Sequence, residues 1–69
     1  MAAGRMVERI QNTVDQLSDF PYLGRTGRIP GTRELVVAGS PFIVPYRIRE
    51  DVIEILTVFH AARRWPEEL

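Results

Sequence analysis

The sequence predicts an α+β fold in which one N-terminal helix packs on a three-stranded antiparallel β-meander. Three observations support this prediction: an apolar repeat at helical spacing near the N-terminus, three β-prone runs in the second half, and short connections between those runs. The length of 69 residues suits a single domain, which we place over residues 1–69.

The N-terminal segment is predicted to be an amphipathic helix over about residues 2–19. Its apolar residues recur at intervals of three and four, which places them on one helical face: Val7, Ile10, Val14 and Leu17. Pro21 ends the helix because the residue before a proline is pushed out of helical geometry. Three glycines and two prolines lie between positions 21 and 31, so residues 20–32 are predicted to form a loop.

The second half contains three runs rich in branched and aromatic residues, at about 33–38, 42–49 and 52–60. Turn-forming residues separate them closely, and such short connections imply antiparallel neighbours. The second run alternates, with one apolar face and a face that ends in Arg47 and Arg49. The third run lacks clean alternation, which is typical of a strand buried on both faces. Residues 61–69 are predicted to form a tail.

The composition excludes several classes of protein. A hydrophobic fraction of 45% is that of a folding chain, yet no apolar run approaches the roughly 20 residues needed to cross a bilayer. The absence of cysteine excludes a disulfide framework and a thiolate metal site. One histidine with scattered carboxylates gives no known metal-ligand spacing. We therefore expect a soluble, cytoplasmic protein without cofactor or metal.

The charges balance overall but are unevenly distributed. Nine basic and nine acidic residues cancel, which argues against holding nucleic acid by bulk charge alone. Every basic residue is arginine, and five of them lie between positions 25 and 49, where Glu34 is the one acid and Glu50 follows at the far end. This locally positive segment has two open interpretations: a solvated surface, or a site at which arginine binds anions.

His60 is the single histidine and the one candidate for a general acid or base near neutral pH. A catalytic role requires Tyr46, Arg47, Arg63 or Arg64 to converge on it around a phosphate; otherwise a histidine at a strand end is structural. Trp65 either covers the open end of the core or forms a contact patch with the neighbouring arginines.

Four blocks of sequence, taken in order, resemble the ParE branch of the RelE/ParE toxins. They are Asp19–Arg25, Pro30–Val37, Pro41–Ile48 and Val52–Pro66, and the helix from Met6 onward resembles the second helix of that family. The similarity covers almost the whole chain. It departs at the front, because family members carry a β-strand and a first helix before this point. Their absence would expose a strand edge and apolar surface that a partner can cover.

The resemblance implies the toxin of a type II toxin–antitoxin system, bound to a cognate antitoxin in a hetero-oligomer. ParE toxins poison DNA gyrase, whereas RelE toxins cleave messenger RNA on the ribosome with clustered lysines and arginines and a terminal tyrosine or histidine. Lysines and a terminal tyrosine are missing here, so we expect gyrase poisoning without catalysis by the toxin. Ribosome-dependent cleavage and a non-toxic antitoxin-binding module are the alternatives.

The same resemblance suggests which side chains meet the target. The target-binding candidates are Arg33, Arg47, His60, Arg63, Arg64 and Trp65. If the chain is a nuclease, the catalytic candidates are His60, Arg47, Arg63 and Tyr46.

Overall fold

The computed structural model describes residues 2–62. The chain begins with a helix and continues into an antiparallel sheet, which confirms the predicted α+β class. The elements are helix α1 (Ala2–Asp15), a 3₁₀ turn (Gln16–Ser18), β1 (Arg25–Thr26), β2 (Arg33–Val36), β3 (Phe42–Arg49), β4 (Val52–Ile55) and β5 (Phe59–His60). No helix within this part of the chain is long and apolar enough to cross a membrane.

The predicted meander is present as β2, β3 and β4, with β3 in the centre. The sheet also contains β1, which lies inside the segment predicted to be a loop. Arg25 and Thr26 pair with the start of β2, and the N–H of Gly27 donates to the carbonyl of Thr32 at 2.8 Å to close the hairpin. The prediction of a loop over residues 20–32 was therefore wrong at Arg25 and Thr26. The strand was missed because two residues are too few to show alternation in a sequence.

The predicted strand 52–60 is divided into two, and Pro45 explains why. The three residues 56–58 lie between β4 and β5, opposite only Val44 and Pro45 of β3, so one extra residue bulges from the ladder. The carbonyl of Pro45 accepts a hydrogen bond from the N–H of Leu56 at 3.0 Å, so Pro45 directs its backbone to this side of β3. Proline has no N–H to return that bond, and the regular ladder stops.

The core lies between the helical segment and one face of the sheet. It is formed by Leu17, Leu35, Val37, Val44 and Tyr46, with Ile10, Val14, Phe42, Ile48 and Ile53 packed around them. The predicted apolar face of the helix is therefore confirmed from Ile10 to Leu17. Val7 is 66% exposed and does not take part. The α-helix ends at Asp15, earlier than predicted, and the tighter 3₁₀ turn that follows directs Leu17 into the core.

Tyr46 fixes the loop after the helix to the central strand. Its side chain is fully buried, and its hydroxyl donates to the carbonyl of Pro21 at 2.7 Å and accepts the N–H of Gly24 at 2.9 Å. A Cβ atom at Gly24 would lie 2.6 Å from the tyrosine ring, so only glycine lets the loop approach this closely. The loop thus supplies the polar partners that a buried hydroxyl requires.

We expect Tyr46→Phe to destabilise the fold by about 1–3 kcal/mol, because it leaves the Gly24 N–H and the Pro21 carbonyl without their buried partner. Urea unfolding of the purified chain measures the change. Tyr22→Phe is the matched control, since that side chain is 68% exposed and its hydroxyl makes no hydrogen bond within the described residues. Equal unfolding midpoints for the two variants would show that the buried hydroxyl contributes nothing.

Candidate functional site

The arginines of the middle segment are distributed by the register of the sheet. Directly paired residues share a face, and successive residues alternate. Pairing of Arg25 with Glu34 and of Arg47 with Glu54 places all four side chains on the face away from the helix, which we call the outer face. Arg33 pairs with Tyr46 and therefore lies on the helix-facing side.

Glu34 organises one half of the outer face. Its carboxylate is only 3% exposed and is held from two directions. Arg25 donates to Oε1 through Nε and an amino group at 3.1 and 3.0 Å, while the backbone N–H of Arg28 donates to Oε2 at 2.9 Å. The Arg28 Nε lies 3.7 Å from the same oxygen. A buried carboxylate is tolerated because these donors replace the water that it loses.

Glu54 organises the other half. An amino group of Arg47 donates to its Oε2 at 3.2 Å, and the Nε of Arg49 lies 3.6 Å from Oε1. The hydrogen bond from Arg47 and the charges of both arginines lower the pKa of Glu54 below its ordinary value. A lowered pKa in the fold means that the charged carboxylate stabilises the native state above its ordinary pKa. That stabilisation disappears as the pH falls through the lowered value.

Arg33 has a different environment from these four arginines. One of its amino groups donates to the carbonyl of Gly24 at 2.7 Å, and its Cζ atom lies 4.8 Å from the centre of the Tyr22 ring. No carboxylate among residues 2–62 forms an ion pair with it. Its charge is therefore held in place by a backbone dipole and an aromatic ring.

His60 lies at the opposite end of β3. It pairs with Phe42, and the two rings meet edge to face with centres 5.5 Å apart. The imidazole Nδ1 accepts the N–H of Ala62 at 3.1 Å. These contacts fit a structural role at the end of the sheet, which is one of the two roles considered from sequence.

The structure disperses the other predicted site residues. Tyr46 is four positions along β3 from Phe42, the partner of His60, a separation of about 13 Å in an extended strand. Its hydroxyl is committed to Pro21 and Gly24, and Arg47 projects from the outer face. Among the described residues, Tyr46 and Arg47 thus do not converge on His60. Arg63, Arg64 and Trp65 lie outside the described residues, and their target-binding roles stay predictions.

Sequence reasoning did not identify Glu34 as the centre of a charged cluster. The available signal was a carboxylate placed between apolar residues of a β-prone run, where a charge needs partners if it is buried. The partners themselves come from a glycine-rich segment whose path was not predictable. Within residues 2–62, no group of three or more acidic or histidine side chains is arranged to hold a metal ion.

A single helix on one face of an antiparallel sheet agrees with the architecture that the toxin resemblance implies. The family model described as the ParE toxin of the type II toxin–antitoxin system parDE matches residues 2–65. The chain belongs to this family.

Two relatives agree with the family match. The chain is 57% identical over 68 residues to a protein of Sinorhizobium fredii named putative toxin Y4kP, covering 99% of this chain and 70% of the relative. It is 35% identical over 63 residues to toxin RelE2 of Caulobacter vibrioides, covering 91% of this chain and 69% of the relative. Type II membership implies an antitoxin as partner.

Glu34→Gln is expected to lower the free energy of unfolding by about 1–3 kcal/mol. The neutral amide weakens the charge-assisted bonds to Arg25, and its NH₂ group faces a donor N–H at a place where a carboxylate oxygen accepted one. Glu54→Gln is the matched control: that carboxylate is 34% exposed, and ion pairs in contact with water stabilise less. Denaturant unfolding of both variants at pH 7 gives the comparison. A larger loss from Glu54→Gln would contradict the central role of Glu34.

Proposed function

We propose that this chain arrests growth by poisoning DNA gyrase, without catalysis of its own, and that a cognate antitoxin neutralises it. Membership of the ParE toxin family supports the proposal. The structural observation that carries it is the dispersal of Tyr46, Arg47 and His60 over different faces and ends of the sheet.

Messenger cleavage makes demands that this arrangement does not favour. General acid–base catalysis needs its groups within about 3 Å of the protons that they move, around one reacting phosphate. The Tyr46 hydroxyl already has a buried donor and a buried acceptor, so it can reach a substrate only if the loop at Pro21 lifts away. A protein that acts by holding its target needs no such convergence, since affinity requires only a complementary surface.

The exposed apolar residues favour an antitoxin that covers part of the surface. Phe20, Tyr22 and Leu23 form a consecutive stretch around Pro21 in which 47–68% of each aromatic or aliphatic side chain is exposed. At one edge of the sheet, β4 bears the exposed Val52 and Ile55. Exposed apolar surface next to an unpaired strand edge is the kind of region that a partner helix or added strand covers.

Ribosome-dependent messenger cleavage is the second candidate, because one relative carries the name toxin RelE2. A third candidate is a non-toxic module that only binds antitoxin. The three differ in measurable outcome, since a gyrase poison traps cleaved DNA, a nuclease shortens messenger RNA, and an inert module does neither.

The deciding experiment expresses the full chain in cells without antitoxin and tests the purified protein on gyrase and on translating ribosomes. We expect growth arrest and accumulation of covalent gyrase–DNA complexes, with messenger RNA intact. Co-expression of the antitoxin should restore growth. Arrest with cleaved messenger RNA and no trapped gyrase would establish the nuclease alternative. Normal growth at verified expression would leave the antitoxin-binding module.

Substitution of His60 isolates any acid–base contribution. His60→Gln keeps an acceptor for the Ala62 N–H but cannot exchange a proton near neutral pH, whereas His60→Ala removes both properties. We expect unchanged arrest with His60→Gln, and at most a loss of stability with His60→Ala. Loss of arrest in both variants, with their folds intact, would restore a catalytic role.

A further inference from the structure

A cavity of about 320 Å³ opens where β2 begins and β3 continues past it. The paired register of these strands ends at Arg33 and Tyr46, yet β3 extends to Arg49. Gly31 and Thr32, from the segment that precedes β2, line the gap that remains beside β3. We call this gap the Arg33–Arg47 pocket; its polar lining includes Thr26, Arg33 and Arg47, and Tyr22 and Ile48 form apolar walls.

Arg33 contributes a guanidinium that is fixed but not neutralised. The bond to the Gly24 carbonyl and the Tyr22 ring hold it at the pocket wall. Its Nε and its second amino group have no acceptor among residues 2–62. Glu50 and Asp51, in the nearby turn between β3 and β4, form no ion pair with it. These free donors are the edge through which arginine binds oxyanions with two parallel bonds.

Arg47 contributes the second, independent observation. Although one of its amino groups binds Glu54, its Nε is completely buried and has no hydrogen-bond partner in the described structure. A buried, charged N–H without an acceptor is costly, so this guanidinium is incompletely satisfied. Its other amino group has no hydrogen bond within the described residues and belongs to a side chain that is 36% exposed, so that group is the Arg47 donor within reach of the pocket. Glu54 is also shared with Arg49, so two guanidinium groups meet one carboxylate here.

The backbone adds a further donor. In an antiparallel strand, alternate residues direct their N–H and C=O groups to opposite edges. The carbonyl of Pro45 points to β4, so the backbone N–H and C=O groups of Tyr46 and Ile48 point to the β2 side of the strand. Arg33 meets Tyr46, but β2 has no residue left to pair with Ile48, whose N–H therefore points toward the pocket. The hydroxyl of Thr26, which lies on the same face as Arg33, also has no hydrogen-bond partner within the described residues.

We propose that the Arg33–Arg47 pocket binds a tetrahedral oxyanion, namely a phosphate group. Its donors approach from both faces of the sheet and from the strand edge, an arrangement that suits the oxygens of a tetrahedral anion. A planar carboxylate is satisfied by one guanidinium edge. The pocket stands apart from His60, and the inference does not rest on gyrase being the target.

The test is a titration of the full, ¹⁵N-labelled chain with inorganic phosphate at constant ionic strength, followed by amide and arginine Nε–H resonances. The expected result is a saturable shift confined to Thr26, Arg33, Arg47 and Ile48. Sulfate should compete with phosphate, while acetate should not. Shifts that fail to saturate, or that spread over the helix, would overturn the proposal. Acetate binding as tight as that of phosphate would overturn the tetrahedral preference.

Variants make the test specific. Arg33→Gln should weaken phosphate binding by about tenfold, the loss of charge-assisted bonds to one guanidinium. Arg5→Gln, at an exposed arginine of the helix, is the matched control and should leave binding unchanged. If Arg33→Gln does not fold, Thr26→Val at an exposed position must weaken binding instead. An unchanged phosphate affinity in the pocket variant that folds would contradict the assigned site. A loss of phosphate affinity in Arg5→Gln equal to that in the pocket variant would contradict it as well.

Discussion

The hydroxyl of Tyr46 connects the three parts of the described chain. It lies at the centre of the middle strand, under the helical segment, and holds the loop at Pro21 and Gly24 by two hydrogen bonds. Because Gly24 has no side chain, the loop can rest on the ring itself. The loop in turn leads directly into β1, so the position of the first strand depends on this contact.

The same contact reaches the charged residues. The carbonyl of Gly24 holds Arg33, and Arg25, the next residue, binds Glu34. One buried tyrosine thereby determines where two arginines of opposite faces are placed. The two hydrogen bonds also limit what the Tyr46 hydroxyl can do, since a hydroxyl bound to two buried backbone groups is not free to transfer a proton to a substrate.

The arginine-rich segment combines both interpretations that its composition allowed. Arg25 and Arg28 surround the buried Glu34, so their first role is structural. Arg47 and Arg49 share Glu54, which offsets only part of their charge. Four of the five arginines thus meet two carboxylates in ion pairs, and Arg33 is the one held without an acid within the described residues.

The sequence by itself determined the α+β class, the apolar face of the helical segment from Ile10 to Leu17, the central strand and the order of the meander. These features follow from local periodicity and from connections too short for any other pairing. The family was also recognisable from four ordered blocks. Only the tertiary structure decided the strand β1, the bulge opposite Pro45 and the charged cluster around Glu34. Each depends on residues distant in sequence that meet across the sheet, and no local pattern specifies such a meeting.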